Sequence, residues 1–176
     1  MMRRDGAKTA PETENAYFAG GCFWCTVPVF ASLPGVRAVV SGYSGGGEAN
    51  PTYAEVKAQT TGHRESVCVE YDREEISFAE LVDRFLAHVD PFDGDGQFID
   101  RGRSYTLAIY YASPEQERTA KEKIRALERD ADGKHVCIAL EPFRGFWPAE
   151  EEHQDFYRKH PETFEQELIA SGRKKA

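Results

Sequence analysis

Two cysteines three residues apart stand in the segment of the chain richest in chemistry, Gly20-Gly21-Cys22-Phe23-Trp24-Cys25. The apolar residues 16–19 before the glycines predict a strand, and residues 22–32 predict a helix. A cysteine at a helix N-terminus faces unpaired backbone N–H groups and the positive end of the helix dipole. Both favour the thiolate, so the sequence predicts that Cys22 is a nucleophile with a lowered pKa.

Cys25 follows Cys22 by one helical turn and lies on the same face of the predicted helix. That spacing is within disulfide range, so the two thiols could form a reversible disulfide. The alternative is that Cys25 is a small buried apolar side chain. A zinc site would need two more ligands, and Cys68 and Cys137 are single cysteines in apolar strands, so we expect no metal.

Two further features are relevant to a thiol site. The aromatic pair Phe23 and Trp24 beside the nucleophile would usually belong to the core, but it could also form the wall of a small apolar pocket. Residues 65–71 alternate, so that Glu65 shares a strand face with Val67 and Val69. Burial on that face would raise the pKa of Glu65 and make it a proton donor, whereas the alternative is a solvated glutamate at the start of a strand.

The remaining pattern alternates strands and helices. Predicted strands are 16–19, 36–43, 65–71, 105–111 and 135–140, and predicted helices are 22–32, 51–58, 77–89, 114–129 and 150–160. Residues 43–47 and 90–102 are predicted loops. We therefore expect an α/β fold, an α+β two-layer sandwich with a ferredoxin-like mixed sheet and helices packed on it. One domain at 15–170 would lie between flexible tails at 1–14 and 171–176.

Composition excludes several classes of function. The chain has 176 residues and a net charge of -8, which argues against a nucleic-acid binder. No apolar run reaches the roughly 18 residues that a membrane span needs, and residues 1–15 lack the apolar core of a signal peptide. Neither a Gly-x-Gly-x-x-Gly motif nor a phosphate loop is present, so no cofactor is expected. We expect a cytoplasmic monomer.

The motifs occur in an order that resembles the A-type peptide methionine sulfoxide reductases. Gly-Cys-Phe-Trp is similar to that family's signature, and the resemblance extends over roughly residues 16–159. The matching segments are Gly42-Tyr43-Ser44-Gly45-Gly46, Asn50-Pro51-Thr52-Tyr53, Thr61-Gly62-His63-Arg64-Glu65, Asp90-Pro91, Asp100-x-Gly102, Tyr105, Phe146-Trp147-Pro148-Ala149-Glu150 and His153-Gln154. The family implies an α/β sandwich and reduction of methionine S-sulfoxide, free or in proteins.

The resemblance also implies roles for individual residues. Cys22 would attack the sulfoxide sulfur, and Glu65 would protonate the sulfoxide oxygen, which is a poor leaving group until it is protonated. Tyr53 and Tyr105 would hold that oxygen with their hydroxyl groups. The substrate would be bound by Phe23, Trp24 and Asp100.

After one turnover Cys22 would be a sulfenic acid, which a second thiol must attack. Many members of the family carry recycling cysteines near the C-terminus and glycine at the position of Cys25, whereas this chain has no cysteine after Cys137. We therefore expect Cys25 to be the resolving thiol, with Cys68, Cys137 or an external thiol as alternatives. A dithiol protein of the thioredoxin type would reduce the disulfide.

Two other functions compete with this interpretation. A Cys-x-x-Cys pair that opens a helix after a strand also occurs in disulfide oxidoreductases of the thioredoxin type. However, no proline separates Cys22 from Cys25, and the Phe-Trp pair is bulky for a site that docks many protein thiols. The other alternative is a non-catalytic module that binds methionine-rich segments, for which Cys22 would be dispensable.

Overall fold

The strand that leads to Cys22 lies near the middle of a six-stranded sheet. The computed structural model describes residues 12–175. In the order in which they lie side by side, the strands of this sheet are β7 (Ile138–Pro142), β6 (Leu107–Tyr111), β1 (Thr13–Gly20), β3 (Arg64–Asp72), β2 (Val36–Ser44) and β8 (Trp147–Pro148). A separate two-stranded hairpin consists of β4 (Gly96–Gln97) and β5 (Asp100–Arg101).

Six α-helices accompany the strands. They are α1 (Phe23–Ala31), α2 (Tyr53–Lys57), α3 (Phe78–His88), α4 (Pro114–Asp130), α5 (Phe156–Lys159) and α6 (Pro161–Ala170), with short 3-10 turns at Arg103–Tyr105 and Glu151–His153. Within residues 12–175, no helix combines the length and the apolar character needed to cross a membrane.

The connections confirm the predicted fold class. β1 pairs antiparallel with β3 and β6, β2 pairs antiparallel with β3, and β7 adds to β6 in parallel. Because α1 connects β1 to β2 and α3 connects β3 to β6, the central strand order β6-β1-β3-β2 is that of a ferredoxin-like βαββαβ unit. The helices pack on the sheet around Phe18, whose ring stacks on those of Phe30 and Phe85 with centroids 5.1 Å away in each case.

Several boundaries differ from the sequence predictions. The strand predicted at 105–111 begins only at Leu107, because Tyr105 lies in a 3-10 turn. The helix predicted at 150–160 is a 3-10 turn followed by the short α5. Here the side chain of Gln154 accepts a hydrogen bond from the N–H of Ser41 and donates one to its C=O, which fixes the segment along β2 instead of in a helix. The loop predicted at 43–47 begins two residues later than predicted, because β2 continues to Ser44.

The tails also differ where the structure describes them. The predicted flexible tail 1–14 overlaps β1, because Thr13 already pairs with Asp72, and residues 1–11 lie outside the described part. The segment predicted as a flexible tail, 171–176, makes contacts with the domain at two of its residues. Ser171 is buried and Arg173 forms an ion pair, so this part of the chain is folded onto the domain, while residue 176 lies outside the described part.

Candidate active site

Cys22 and Cys25 line a cavity of about 220 Å³ at the end of β1. The cavity brings together residues from the β1–α1 junction, β3, α2, the β4–β5 hairpin and the C-terminal segment. Its lining residues are Cys22, Trp24, Cys25, Tyr53, Lys57, Glu65, Asp100, Tyr105, Phe164, Glu167 and Arg173. Six of the seven residues expected to bind or transform the substrate therefore meet in one place, together with the candidate resolving thiol.

A sharp turn after β1 positions Cys22. Gly21 has a φ of 85°, which favours glycine, and a Cβ there would lie 2.8 Å from the Cβ of Gln97. Cys22 is the N-cap of α1, and its carbonyl accepts hydrogen bonds from the N–H of Cys25 and of Thr26. The Thr26 hydroxyl donates to the same carbonyl at 3.0 Å. The backbone at Cys22 is thus fixed at the start of a helix, as predicted.

The charge state of Cys22 is not the one predicted. The neighbouring Cys25 thiol raises the pKa of Cys22 well above the ordinary cysteine value. Burial and the carboxyl group of Glu65 act in the same direction. The predicted direction of the Cys22 pKa shift is therefore wrong, because the prediction considered only the helix N-terminus. The neighbouring Cys22 thiol lowers the pKa of Cys25 against the effect of burial, and the positive charge of Arg173 contributes to the lowering.

Glu65 is the buried acid of the cavity. Only 3% of the residue is exposed, and burial raises its pKa well above the ordinary carboxyl value, with Asp100 adding to the effect. Its Oε2 atom is buried and has no hydrogen-bond partner among residues 12–175. The antiparallel register explains its place: Phe18 of β1 pairs with Val67 of β3, so Glu65, two residues earlier, is level with the end of β1.

Two tyrosine hydroxyls line the cavity beside Glu65. Tyr53 opens α2, where Thr52 forms a capping box with Glu55, and Tyr105 ends the 3-10 turn after the hairpin. Burial raises the pKa of each tyrosine, and the carboxyl group of Glu65 adds to the shift. Both hydroxyl groups therefore carry their protons at neutral pH and can donate hydrogen bonds.

The two aromatic residues beside Cys22 lie in different places. Trp24 lines the cavity and stacks on Phe156 with ring centroids 3.9 Å apart. Phe23 is buried behind Tyr53, with ring centroids 6.2 Å apart, and does not line the cavity. Of the two aromatic residues predicted to form the pocket wall, the structure therefore brings Trp24, but not Phe23, to the cavity.

Four lining residues were not anticipated from the sequence: Lys57, Phe164, Glu167 and Arg173. Two of them lie on α6, which we did not predict, although Pro161 at its first turn is a helix-start signal. Arg173 donates a hydrogen bond from Nη1 to Oδ2 of Asp100 at 3.4 Å. No local pattern in the sequence indicated that pair, because its partners lie 73 positions apart.

One group outside the cavity has side chains that could ligate a metal. The ligand atoms of Glu150, Glu152 and His153 lie within 4.8 Å of one another. The carboxylate of Glu150 already accepts hydrogen bonds from the Tyr43 hydroxyl and the Tyr53 N–H. The His153 ring stacks on Tyr53 with centroids 4.0 Å apart. Through these contacts Glu150 and His153 hold Tyr53 in its position beside the cavity.

Several known proteins are similar to this chain in sequence and in fold. A model of the peptide methionine sulfoxide reductase family matches residues 14–176. Peptide methionine sulfoxide reductase MsrA of Halalkalibacterium halodurans is 46% identical over 161 residues, which cover 91% of this chain and 92% of that protein. Among solved structures, methionine sulfoxide reductase A of Corynebacterium diphtheriae has a TM-score of 0.81 at 33% identity, covering 86% of this chain and 77% of that one. Mxr1 of Saccharomyces cerevisiae in reduced form has a TM-score of 0.80 at 25% identity, covering 85% and 87%.

The fold and the cavity together define a reductase that works through thiols, with an acid and two hydroxyl donors beside the sulfur atoms. The chain belongs to the peptide methionine sulfoxide reductase family. It is an oxidoreductase that reduces methionine sulfoxide to methionine.

Proposed function

We propose that Cys22 is the nucleophile of this reaction and Glu65 its proton donor. The observation that supports this proposal most directly is the buried Oε2 atom of Glu65, which has no hydrogen-bond partner within the described residues. The carboxyl group to which it belongs has a raised pKa and lines the same cavity as Cys22. A buried polar atom without a partner is costly, so it is explained if a substrate oxygen completes its hydrogen bonding. The hydroxyls of Tyr53 and Tyr105 donate to the same oxygen.

The first step transfers oxygen from substrate to enzyme. The proton of Cys22 passes to the neighbouring Cys25, whose pKa is the lower of the two, and the resulting Cys22 thiolate attacks the sulfoxide sulfur. Glu65 protonates the oxygen, which moves to Cys22 as the bond to the substrate sulfur breaks. Methionine leaves with its sulfur reduced by two electrons, and Cys22 becomes a sulfenic acid. Trp24 lines the cavity and contacts the methyl group of the substrate. The resemblance to the A-type family implies that the substrate is the S epimer, free or peptide-bound.

The second step regenerates the enzyme. The Cys25 sulfur attacks the sulfenic sulfur of Cys22, an S–S bond forms, and hydroxide leaves as water with the proton of Cys25. A thioredoxin-type dithiol then reduces the disulfide. The solved complex of yeast Mxr1 with Trx2 supports this choice of reductant, although that protein's likeness to this chain is one of fold. The four free cysteines suit a reducing compartment, which supports the proposal of a cytoplasmic protein that repairs oxidised methionine as a monomer.

The test compares Cys25→Ser with the parent protein and with Cys68→Ser and Cys137→Ser as matched controls. Each pre-reduced protein meets excess methionine sulfoxide without a reductant. We expect about one methionine per chain from every variant, because the chemistry consumes Cys22 once. An intramolecular disulfide forms in all of them except Cys25→Ser. A disulfide that persists in Cys25→Ser and disappears in one of the controls would transfer the resolving role to that cysteine.

A further inference from the structure

The C-terminal segment, residues 161–174, brings a cation to the cysteine pair. α6 ends at Ala170, and Gly172 with a φ of 79° reverses the chain, so that Arg173 returns to the cavity. Only 7% of the Arg173 side chain is exposed. Burying most of a guanidinium group is costly unless an anion or hydrogen bonds compensate it.

The contacts of Arg173 compensate that charge only in part. Nη1 donates to Asp100 at 3.4 Å, and the guanidinium lies 4.4 Å from the centroid of the Phe98 ring. Nε and Nη2 are buried and have no hydrogen-bond partner within residues 12–175. Nη2 would lie 3.5 Å from a Cβ built on Gly21, the residue before Cys22. The guanidinium is therefore fixed beside the turn that carries the nucleophile.

Several charged or titratable groups surround Cys25 in the cavity. They are Cys22 from the start of α1, Tyr53 and Lys57 from α2, Glu65 from β3, Asp100 from β5, Tyr105 from the 3-10 turn after the hairpin, Glu167 from α6, and Arg173. Lys57 and Glu167 are exposed, and burial raises the pKa of Glu65 well above the ordinary carboxyl value. Arg173 favours the Cys25 thiolate, whereas Asp100 and Glu167 oppose it. Arg173 is therefore the one buried cation among these lining residues.

We propose that Arg173 is a positioning residue for the resolving thiol: its guanidinium stabilises the thiolate of Cys25 as that sulfur attacks the sulfenic acid of Cys22. The inference rests on the proposed role of Cys25. The step consumes the Cys25 thiolate and the sulfenic acid and gives a disulfide and hydroxide, which takes up a proton to become water. The cation acts before the attack, by raising the fraction of Cys25 that is ionised at neutral pH.

The experiment measures how fast iodoacetamide alkylates Cys25 as a function of pH, with each cysteine resolved by mass spectrometry. A Cys22→Ser background leaves Cys25 as the only thiol of the pair. We expect Arg173→Gln to raise the midpoint of the pH profile by about one unit, which slows alkylation about tenfold below the midpoint. Arg173→Lys restores most of the rate. Lys175→Gln removes the same charge from an exposed position and leaves the midpoint in place.

A second readout uses the chain with Cys22 intact. After one turnover with methionine sulfoxide at pH 7, Arg173→Gln forms the disulfide about tenfold more slowly than the parent, in proportion to its smaller thiolate fraction.

Three results would overturn the proposal. The first is an Arg173→Gln midpoint that equals the parent's. A change confined to the high-pH plateau of the alkylation rate also counts as this result, because it reports easier access of iodoacetamide to Cys25 and not a change in the ionisation of Cys25. The second is an equal shift in Lys175→Gln. The third is a shifted midpoint with an unchanged rate of disulfide formation. If Cys25→Ser still forms the disulfide, the proposed resolving role fails, and the alkylation midpoint still reports separately whether Arg173 acts on Cys25.

Discussion

The cavity has two walls of different construction. The sheet wall, made of Cys22, Trp24, Cys25 and Glu65, stands on β3 and on the β1–α1 junction, which the core holds in place. The C-terminal wall, made of Asp100, Phe164, Glu167 and Arg173, stands on the β4–β5 hairpin and the C-terminal segment. α6 buries none of its own side chains completely, whereas β3 is buried along most of its length.

This difference separates the residues proposed to react with the substrate from the charged residues that change their ionisation. Catalysis by oriented groups requires positions fixed to within a fraction of an ångström, and hydrogen-bonded strands supply them. The C-terminal wall brings charges that change the ionisation of the sheet wall, and charges act over longer distances with less demand on geometry. Substitutions in the two walls should therefore differ in size and in kind.

The largest effect is expected at Cys22. Cys22→Ser lowers methionine formation to the background rate, because a serine hydroxyl is a poor nucleophile at neutral pH and cannot accept the sulfoxide oxygen as a sulfenic acid. The measurement is methionine formed per chain without a reductant. Cys137→Ser, outside the cavity, serves as the control, and methionine formation by Cys22→Ser at the control's rate would exclude Cys22 as the nucleophile.

The next effect is expected at Glu65, the proposed proton donor in the sheet wall. Glu65→Gln lowers kcat about 10³-fold, within the range for loss of a general acid. Because the pKa of Glu65 is raised, the parent donates a proton at neutral pH and loses activity as pH rises through that pKa. The variant lacks this alkaline decline. Glu70→Gln, exposed on the same strand, is the control.

The free energy of unfolding, like the activity, should fall as pH rises because of Glu65. In the folded state Glu65 keeps its proton to a higher pH than in the unfolded state, so its burial costs least below the ordinary carboxyl pKa. The free energy of unfolding of the parent therefore falls as pH rises towards the raised pKa, and that of Glu65→Gln falls less. Parallel urea titrations at several pH values measure this difference. Equal slopes for the two proteins would mean that Glu65 ionises normally in the folded state.

A smaller effect is expected at the tyrosines. Tyr53→Phe and Tyr105→Phe each lower kcat about tenfold, because each removes one hydrogen bond to an oxygen that gains charge in the transition state. Steady-state kinetics of both variants, beside Tyr111→Phe as a control outside the cavity, measures the change. A change confined to KM would show instead that the hydroxyl groups bind the ground state.

The smallest effect is expected at Phe164 in the C-terminal wall, and a ring of the core serves as its comparison. Phe85→Ala removes a fully buried ring and lowers the free energy of unfolding by about 3–5 kcal/mol. Phe164 is half-buried and packs edge-on against Tyr157 with centroids 6.2 Å apart, so Phe164→Ala costs about 1 kcal/mol. Urea denaturation measures both. A similar loss for the two variants would show that the C-terminal wall is part of the core.

The sequence by itself determined the parts of the site that depend on local pattern. Two glycines between a strand and a helix mark the turn that carries Cys22, and the alternation around Glu65 places it on a buried strand face. Helices α3 and α4 were predicted nearly to their ends because their capping serines and apolar periodicity are local features. The 3.6-residue and two-residue periods need no knowledge of the rest of the chain.

Tertiary structure decided what depends on residues far apart in the chain. The pKa of Cys22 is raised because Cys25 and Glu65 surround it, whereas the helix N-terminus alone predicts the opposite direction. Residues 171–174 look like a frayed basic tail in the sequence, yet Arg173 pairs with Asp100 above the two cysteines. Local pattern fixes which face of an element is buried, but the electrostatic environment of a group depends on every charge that the fold brings near it.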